Sequence, residues 1–278
     1  VWQTPQAYGI AALASVLGAS APAKPSVLPL AGAIILPDGA SGAALGRGFT
    51  GTGLARDPLD GSWWVGNDGR TSALDDPFAS SLVRLAPDFS AIVAEHQTAD
   101  LGLPAGSVQG VAYDTRADTV WLVLKRSPRP LVNVDRNGVL RAALPAPAGV
   151  NGLAYDSRRD LLISVDDASL EVRWRDKTTG AALPSPRIAL RDRGPDQAYY
   201  DHAHDVLIVT GGANKRDGWL EAWDLSVESP ALLYRHRLRG ADSIEGVVRQ
   251  GNVYFIVNDA YFHGGAPAMN RVLVYALP

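Results

Sequence analysis

The chain has 278 residues, 46 % of them hydrophobic and 20 % charged, the balance of an ordinary globular protein long enough to bury a large core. A formal net charge of −3 leaves no basic footprint for nucleic acid, and the absence of cysteine excludes disulfides and thiolate metal sites. The length fits one all-β unit or two smaller domains.

Residues 7–18, AYGIAALASVLG, form the longest apolar run. The run is too short, and too interrupted by glycine, to span a bilayer. No basic residue precedes Lys24, so it does not read as a secretory signal either. Residues 1–25 are therefore expected to be an apolar attachment segment for a protein assembly partner, and 26–278 the folded domain. This favours an extracellular or virion-surface location over the cytoplasm.

From residue 52 onward a short pattern recurs: a polar residue, Gly, an aliphatic, a small residue, a bulky residue, and often Asp. It reads TGLARD at 52–57, QGVAYD at 109–114 and NGLAYD at 151–156, with degenerate copies DQAYYD at 196–201 and EGVVRQ at 245–250. The copies recur at the roughly 40–50 residues of a four-stranded propeller blade. Each is followed by a turn and an apolar strand: 62–67, 119–124, 161–165, 206–210 and 253–257. These are rich in β-branched and aromatic residues, as buried strands are. Third strands with alternating polarity follow at 81–86, 131–135, 170–174, 220–225 and 271–277. Weaker fourth strands follow at 91–96, 139–144, 186–190 and 231–236. The fifth copy has no fourth strand, and an unpaired edge is a liability. The segment SVLPLAGAII at 26–35 is expected to supply it and close the ring. The prediction is a single five-bladed all-β propeller. A sixth blade fits only if the long first interval is split, and a β-sandwich gives no reason for five copies of one motif.

In a propeller the first strand of each blade lies at the axis and starts at the top face. The residue before each repeat's Gly position then faces the channel mouth: Thr52, Gln109, Asn151, Asp196 and Glu245. All five carry oxygen. Asn151, Asp196 and Glu245 are the candidate ligands for Ca²⁺, which takes carboxylate and amide oxygens. The same residues could equally bond backbone amides and water in a wet channel. The second strands end on the same face at Asn67 and Asp68, Asp166 and Asp167, and Asn258 and Asp259, followed by Tyr261, Phe262 and His263. Turn chemistry explains any one of these Asn/Asp pairs; three at equivalent places outline a ligand funnel. Trp63 and Trp64 lie within a strand and are expected to pack between blades. His202 and His204, in YDHAHD, fall in a turn on the opposite face and read as surface residues. His96 and His236 sit on outer strands. No GxSxG elbow, HExxH or GxxxxGK[ST] is present.

NGLAYDSRRDLLISVDD at 151–167 resembles the blades of gluconolactonase/regucalcin-like propellers, whose NGL turn supplies an asparagine metal ligand. Asn151 occupies that place. That family also has a metal-binding glutamate in its first blade, where this chain has Thr52; the ring's only glutamate is Glu245. SIEGVVRQGNVYFIVNDA at 243–260 is similar to SdiA-regulated and phytase-esterase-like propellers, in which an EG motif opens a blade. YGIAALASVLGASAPAKPSV faintly resembles leader segments of phage tail and fibre proteins, which implies docking onto a neighbouring subunit.

Two functions follow as expectations. One is a recognition module that presents its top-face funnel, with Thr52, Gln109, Asn67, Asp68, Asn258, Tyr261 and His263, to a glycan or other surface ligand. It would be held in an assembly by residues 1–25. The other is a calcium-dependent lactonase or esterase, with Asn151, Asp196 and Glu245 on the metal and Asp166, Asp167 or Asp259 as general base. The residues alone do not decide between them.

Overall fold

The computed structural model describes residues 26–36, 50–68, 70–71, 74–75, 80–102, 106–125, 129–191, 194–212, 218–241, 243–258 and 271–277. Residues 1–25, the expected attachment segment, lie outside these. Two short strands open the described chain, β1 (Ser26–Leu28) and β2 (Leu30–Ile35). Blade one holds β3 (Gly51–Arg56), β4 (Trp63–Asn67), β7 (Ser81–Leu85) and β8 (Ile92–Gln97). Its long interval is taken up partly by a small hairpin, β5 (Arg70–Thr71) and β6 (Leu74–Asp75), so no sixth blade is formed. Blade two holds β9 (Ser107–Asp114), β10 (Thr119–Lys125), β11 (Arg129–Asp135) and β12 (Leu140–Ala146). Blade three holds β13 (Val150–Asp156), β14 (Leu161–Asp166), β15 (Glu171–Arg175) and β16 (Ala182–Ala189). Blade four holds β17 (Pro195–Asp201), β18 (Val206–Gly211), β19 (Gly218–Asp224) and β20 (Ala231–Leu238). Blade five holds β21 (Ile244–Gln250), β22 (Val253–Asn258) and β23 (Arg271–Ala276).

The first strands β3, β9, β13, β17 and β21 contact one another in turn, and β21 returns to β3, so the ring is closed. Burial falls from axis to rim. The second strands are almost wholly buried because a neighbouring blade covers each face, which is why their sequences are unbroken apolar runs. Of the third strands, β7 is buried apart from half-buried Arg84, so the expected alternation is weak there. It is clearest in outer strands such as β12. The apolar side chains gather into five clusters, one in each interface between consecutive blades. Trp63 and Trp64 are both fully buried, on opposite faces of β4, and serve the interfaces with blades five and two.

The closing segment does two things. β2 pairs antiparallel with β23, from Leu30 opposite Tyr275 to Ile35 opposite Arg271, and so supplies the missing outer strand of blade five. β1 instead runs parallel to β20 on blade four, with Ser26 opposite His236 and Leu28 opposite Leu238. Ser26 Oγ meets His236 Nδ1 at 2.5 Å, and Leu28 enters the core between blades four and five.

At the axis the repeat's glycine is a steric requirement. A Cβ on Gly110 would lie 2.5 Å from Asn151 O and 2.7 Å from Leu153 N; one on Gly53 would lie 2.6 Å from Val111 N, and one on Gly246 2.7 Å from Leu54 N. These obstacles are backbone atoms that cannot move aside without reopening the ring. Gly110→Ala is therefore expected to lower stability by about 3 kcal/mol, the upper part of the usual overpacking range. Gly32→Ala on β2, where a Cβ meets nothing within 4 Å, should be neutral. Urea unfolding of both variants checks the contrast.

Candidate functional site

Each first strand carries a register shift at the same level. Asn151 is the extra residue between Val150 and Gly152, Asp196 between Pro195 and Gln197, and Glu245 between Ile244 and Gly246. In blade one the shift lies between Thr52 and Leu54, and in blade two Gln109 and Gly110 together face Val123. A β-bulge re-aims the extra side chain and bends the strand. The shift thus falls on the predicted mouth residue in blades three, four and five, includes it in blade two, and falls on Gly53 beside it in blade one.

Several are already engaged. Thr52 Oγ1 donates to Val108 O at 2.8 Å, tying blade one to blade two. Gln109 Nε2 donates to Val108 O at 3.2 Å, and Asn151 Nδ2 donates to Asp167 Oδ2 at 3.1 Å. Buried Asn67 accepts from Thr50 N and donates to Ser81 Oγ, and the Asp68 N–H donates to Thr50 O. Asp166 Oδ1 accepts from the amides of Ala168 and Ser169, the turn chemistry that its sequence allowed. Asn258 is fully buried opposite Ile244. Asp259, Tyr261 and His263 lie outside the described residues. Among the described residues no three His, Asp or Glu side chains gather closely enough to hold a metal ion.

Below the mouth the axis is plugged. Blade four has Gln197 where the other blades have glycine, and its side chain is fully buried. Its Oε1 accepts from Leu153 N at 2.6 Å and from its own neighbour Ala198 N at 3.0 Å. Its Nε2 lies 2.9 Å from where a Cβ on Gly53 would stand. One glutamine thus fills the space that four glycines leave open.

Beneath this plug lies a cavity of about 620 Å³ lined from all five blades. Its deep wall is Leu54, Val111, Leu153 and Ala198, the residues just after the glycine layer. Its sides are the repeat's fifth position, which reads Arg56, Tyr113, Tyr155, Tyr200 and Arg249. Its rim is formed by the turns that follow, including Arg116, Ser157 and His202. In blades two, three and four the tyrosine hydroxyl donates to an aspartate five residues on: Tyr113 to Asp118, Tyr155 to Asp160 at 2.5 Å, and Tyr200 to Asp205 at 2.8 Å. Those three aspartates hold φ of 56°, 58° and 53°, the left-handed region that Asp tolerates better than most residues. Burial first, and then these hydrogen bonds to carboxylates, push the three phenols well above the ordinary tyrosine pKa. Tyr199, also in the wall, is pushed up to about 12, mainly by burial.

Around the cavity the blades are clasped by charge. Arg136 Nη2 meets Asp57 Oδ2 at 2.6 Å across blades one and two, and Lys177 Nζ meets Asp114 Oδ2 at 3.0 Å across two and three. Arg159 Nη1 meets Asp205 Oδ1 at 2.9 Å across three and four, and Arg249 Nη1 meets Asp201 Oδ2 at 3.3 Å across four and five. The fifth junction differs. Gln250 stands where the other copies have Asp; with its amide assigned so that the oxygen faces the guanidinium, it lies 2.6 Å from Arg56 Nε, 2.9 Å from Nη1 and 3.2 Å from Nη2.

This lower cavity lies apart from the funnel expected at the mouth. The signal was in the repeat itself, whose bulky fifth position is Arg or Tyr in every copy. His202 and His204 are exposed, as expected, and His204 pairs with Asp201 at 2.9 Å. His202, however, also borders the cavity, with its Nδ1 2.7 Å from Ser157 Oγ. No carboxylate among the described residues holds its other ring nitrogen, so the pair lacks the third group that orients a catalytic base.

No family model matches the chain, and no curated protein matches it. Among solved structures it is similar to a protein of unknown function from Bacteroides caccae, at 13 % identity and TM-score 0.52, covering 76 % of this chain and 72 % of that one. It is similar to a chain of a nidogen/laminin complex at 14 % and 0.52, covering 77 % and 73 %. It is also similar to the WD40 repeats of RRP9 at 14 % and 0.50, covering 75 % and 57 %. Likeness at such identities shows the propeller fold alone. The gluconolactonase-like and phytase-like resemblances thus rest only on their short motifs. No helix among the described residues is long and apolar enough to cross a membrane.

The raised tyrosines make a pH prediction. A phenol harder to ionise in the fold than in the unfolded chain contributes stability that is whole below the unfolded pKa of about 10 and is lost as pH rises above it. Urea unfolding midpoints are expected to fall above pH about 10, with tyrosinate absorbance lagging behind that of free tyrosine. Tyrosines that ionise at their ordinary pKa in the intact fold would contradict the described burial.

Proposed function

We propose that this chain is a recognition propeller that seats a small ligand in its lower axial cavity and does not transform it. The propeller fold is consistent with ligand binding or protein interaction, and folds of this kind host both. The observation that carries the reading is a cavity of about 620 Å³ built from all five repeats. Small-molecule pockets of roughly 300–1,000 Å³ are mostly apolar with a few placed polar groups. Here Leu, Val, Ala and Tyr form the wall, and arginines stand at its edge. Ser157 and His202 lack an orienting acid, which supports binding without turnover.

A second reading keeps the ligand, a glycan or another surface molecule, at the mouth. It is supported by the register shift that recurs at or beside the oxygen-bearing residue in all five first strands. In either reading the apolar run at 7–18 supports attachment to a protein partner.

A fragment screen followed by NMR separates the two. The cavity reading expects the methyl signals of Ala112, Ala154 and Ala198 to move on ligand addition while the side-chain amides of Gln109 and Asn151 stay still. The reverse pattern places the ligand at the mouth, and no response at either site removes the recognition reading. Ser157→Ala is expected to leave hydrolysis of an activated ester at background, as in the parent; a parent rate that collapses in this variant would make the chain an enzyme.

A further inference from the structure

We propose that the ligand of the lower cavity is an organic acid: a carboxylate joined to a flat, largely apolar body, with the carboxylate held by Arg56. This rests on the cavity being the binding site and adds the chemical class it takes.

The argument begins with an imbalance in the ring of clasps. At four blade junctions a cation meets a carboxylate. At the fifth, the repeat's closing Asp is replaced by Gln250, so Arg56 meets only a neutral amide. Among the described residues no carboxylate lies within ion-pair distance of Arg56. Its guanidinium also lies over the Trp63 ring, 5.8 Å from the centroid, a π face that attracts the cation without neutralising it. Among the described residues no group beside Arg56 carries the formal negative charge that the other four junctions have.

The cavity walls point the same way. Among the described residues they include Arg56, Arg116 and Arg249 and not one Asp or Glu. Arg249 is matched by Asp201 and Arg116 more distantly by Asp160, at 3.8 Å. Arg56 alone is left over. A guanidinium presents a planar fork that fits a carboxylate with two parallel hydrogen bonds. The tyrosines bias the rest of the ligand. Their hydroxyl protons are already given to Asp118, Asp160 and Asp205, so they offer ring surface more than donors. With Leu54, Val111 and Leu153 at the deep end, the remaining space suits an aromatic or alicyclic body. A cationic ligand would meet three arginines, and a polyhydroxylated neutral one would leave most of its hydroxyls unmatched.

The test uses 2-naphthoate and its neutral isostere 2-naphthamide, titrated into the whole protein and followed by calorimetry and by the methyl signals of Ala112, Ala154 and Ala198. The acid is expected to bind at least tenfold more tightly than the amide and to move those signals. Arg56→Gln keeps a donor for Gln250 but drops the charge; it should erase the difference between the two probes, while Arg56→Lys should retain part of it. Equal binding of both probes in the cavity overturns the acid class and leaves the cavity reading standing. Probes that leave the cavity methyls unmoved overturn both. An acid preference that survives in folded Arg56→Gln overturns the assignment to Arg56.

Discussion

Everything in this molecule is arranged around the approach of five backbones at one axis. Closing a ring with only five blades brings successive first strands so near that the peptide of one lies where the Cβ of the next would be. Four blades meet that constraint by having no side chain. Blade four uses one long enough to occupy the shared space and polar enough to bond the buried amides of Leu153 and Ala198. Because the axis is filled at that level, the molecule has two separate ends. Above the plug are bulges and oxygen-bearing side chains, and below it are aromatic rings and guanidinium groups.

Away from the axis, no single core holds the domain. Each interface has its own apolar cluster, and stability is a sum of neighbouring contacts that pays only when the circle is complete. The lower turns reinforce these contacts with charge. Asp57, Asp114 and Asp156 each accept turn amides through one oxygen and a cation through the other, so the same residue shapes the hairpin and clasps a neighbour. For Asp156 the cation is Arg159 of its own blade, whose guanidinium continues to Asp205 on the next.

The blade count and the closing strand were legible because the blades are written as a repeat that lacks its last outer strand. Glycine before an aliphatic marks the axis, and an unbroken apolar run marks a strand covered on both faces. The lower cavity was less legible for a physical reason. Arg56, Tyr113, Tyr155, Tyr200 and Arg249 look like ordinary bulky residues until the turns fold beneath them and turn their common position into a wall. Gln197 and Gln250 were visible only as lapses in the motif. Each proves to be where the structure departs from symmetry: one closes the axis, and the other leaves Arg56 facing a neutral amide. The split of 26–35 between two blades was not legible either, since Pro29 gives no sign of which sheet lies on either side of it.

That split has a mechanical consequence. β1 lies lengthwise along the rim of blade four, and β2 continues onto blade five. A load arriving through residues 1–25 would therefore pull β1 along its own axis, straining its backbone hydrogen bonds together instead of peeling them one by one. The side chain of Leu28 sits between the two blades and would have to be drawn out before the load reached β2. Under such a load the segment that completes the circle would also act as a tether loaded in shear.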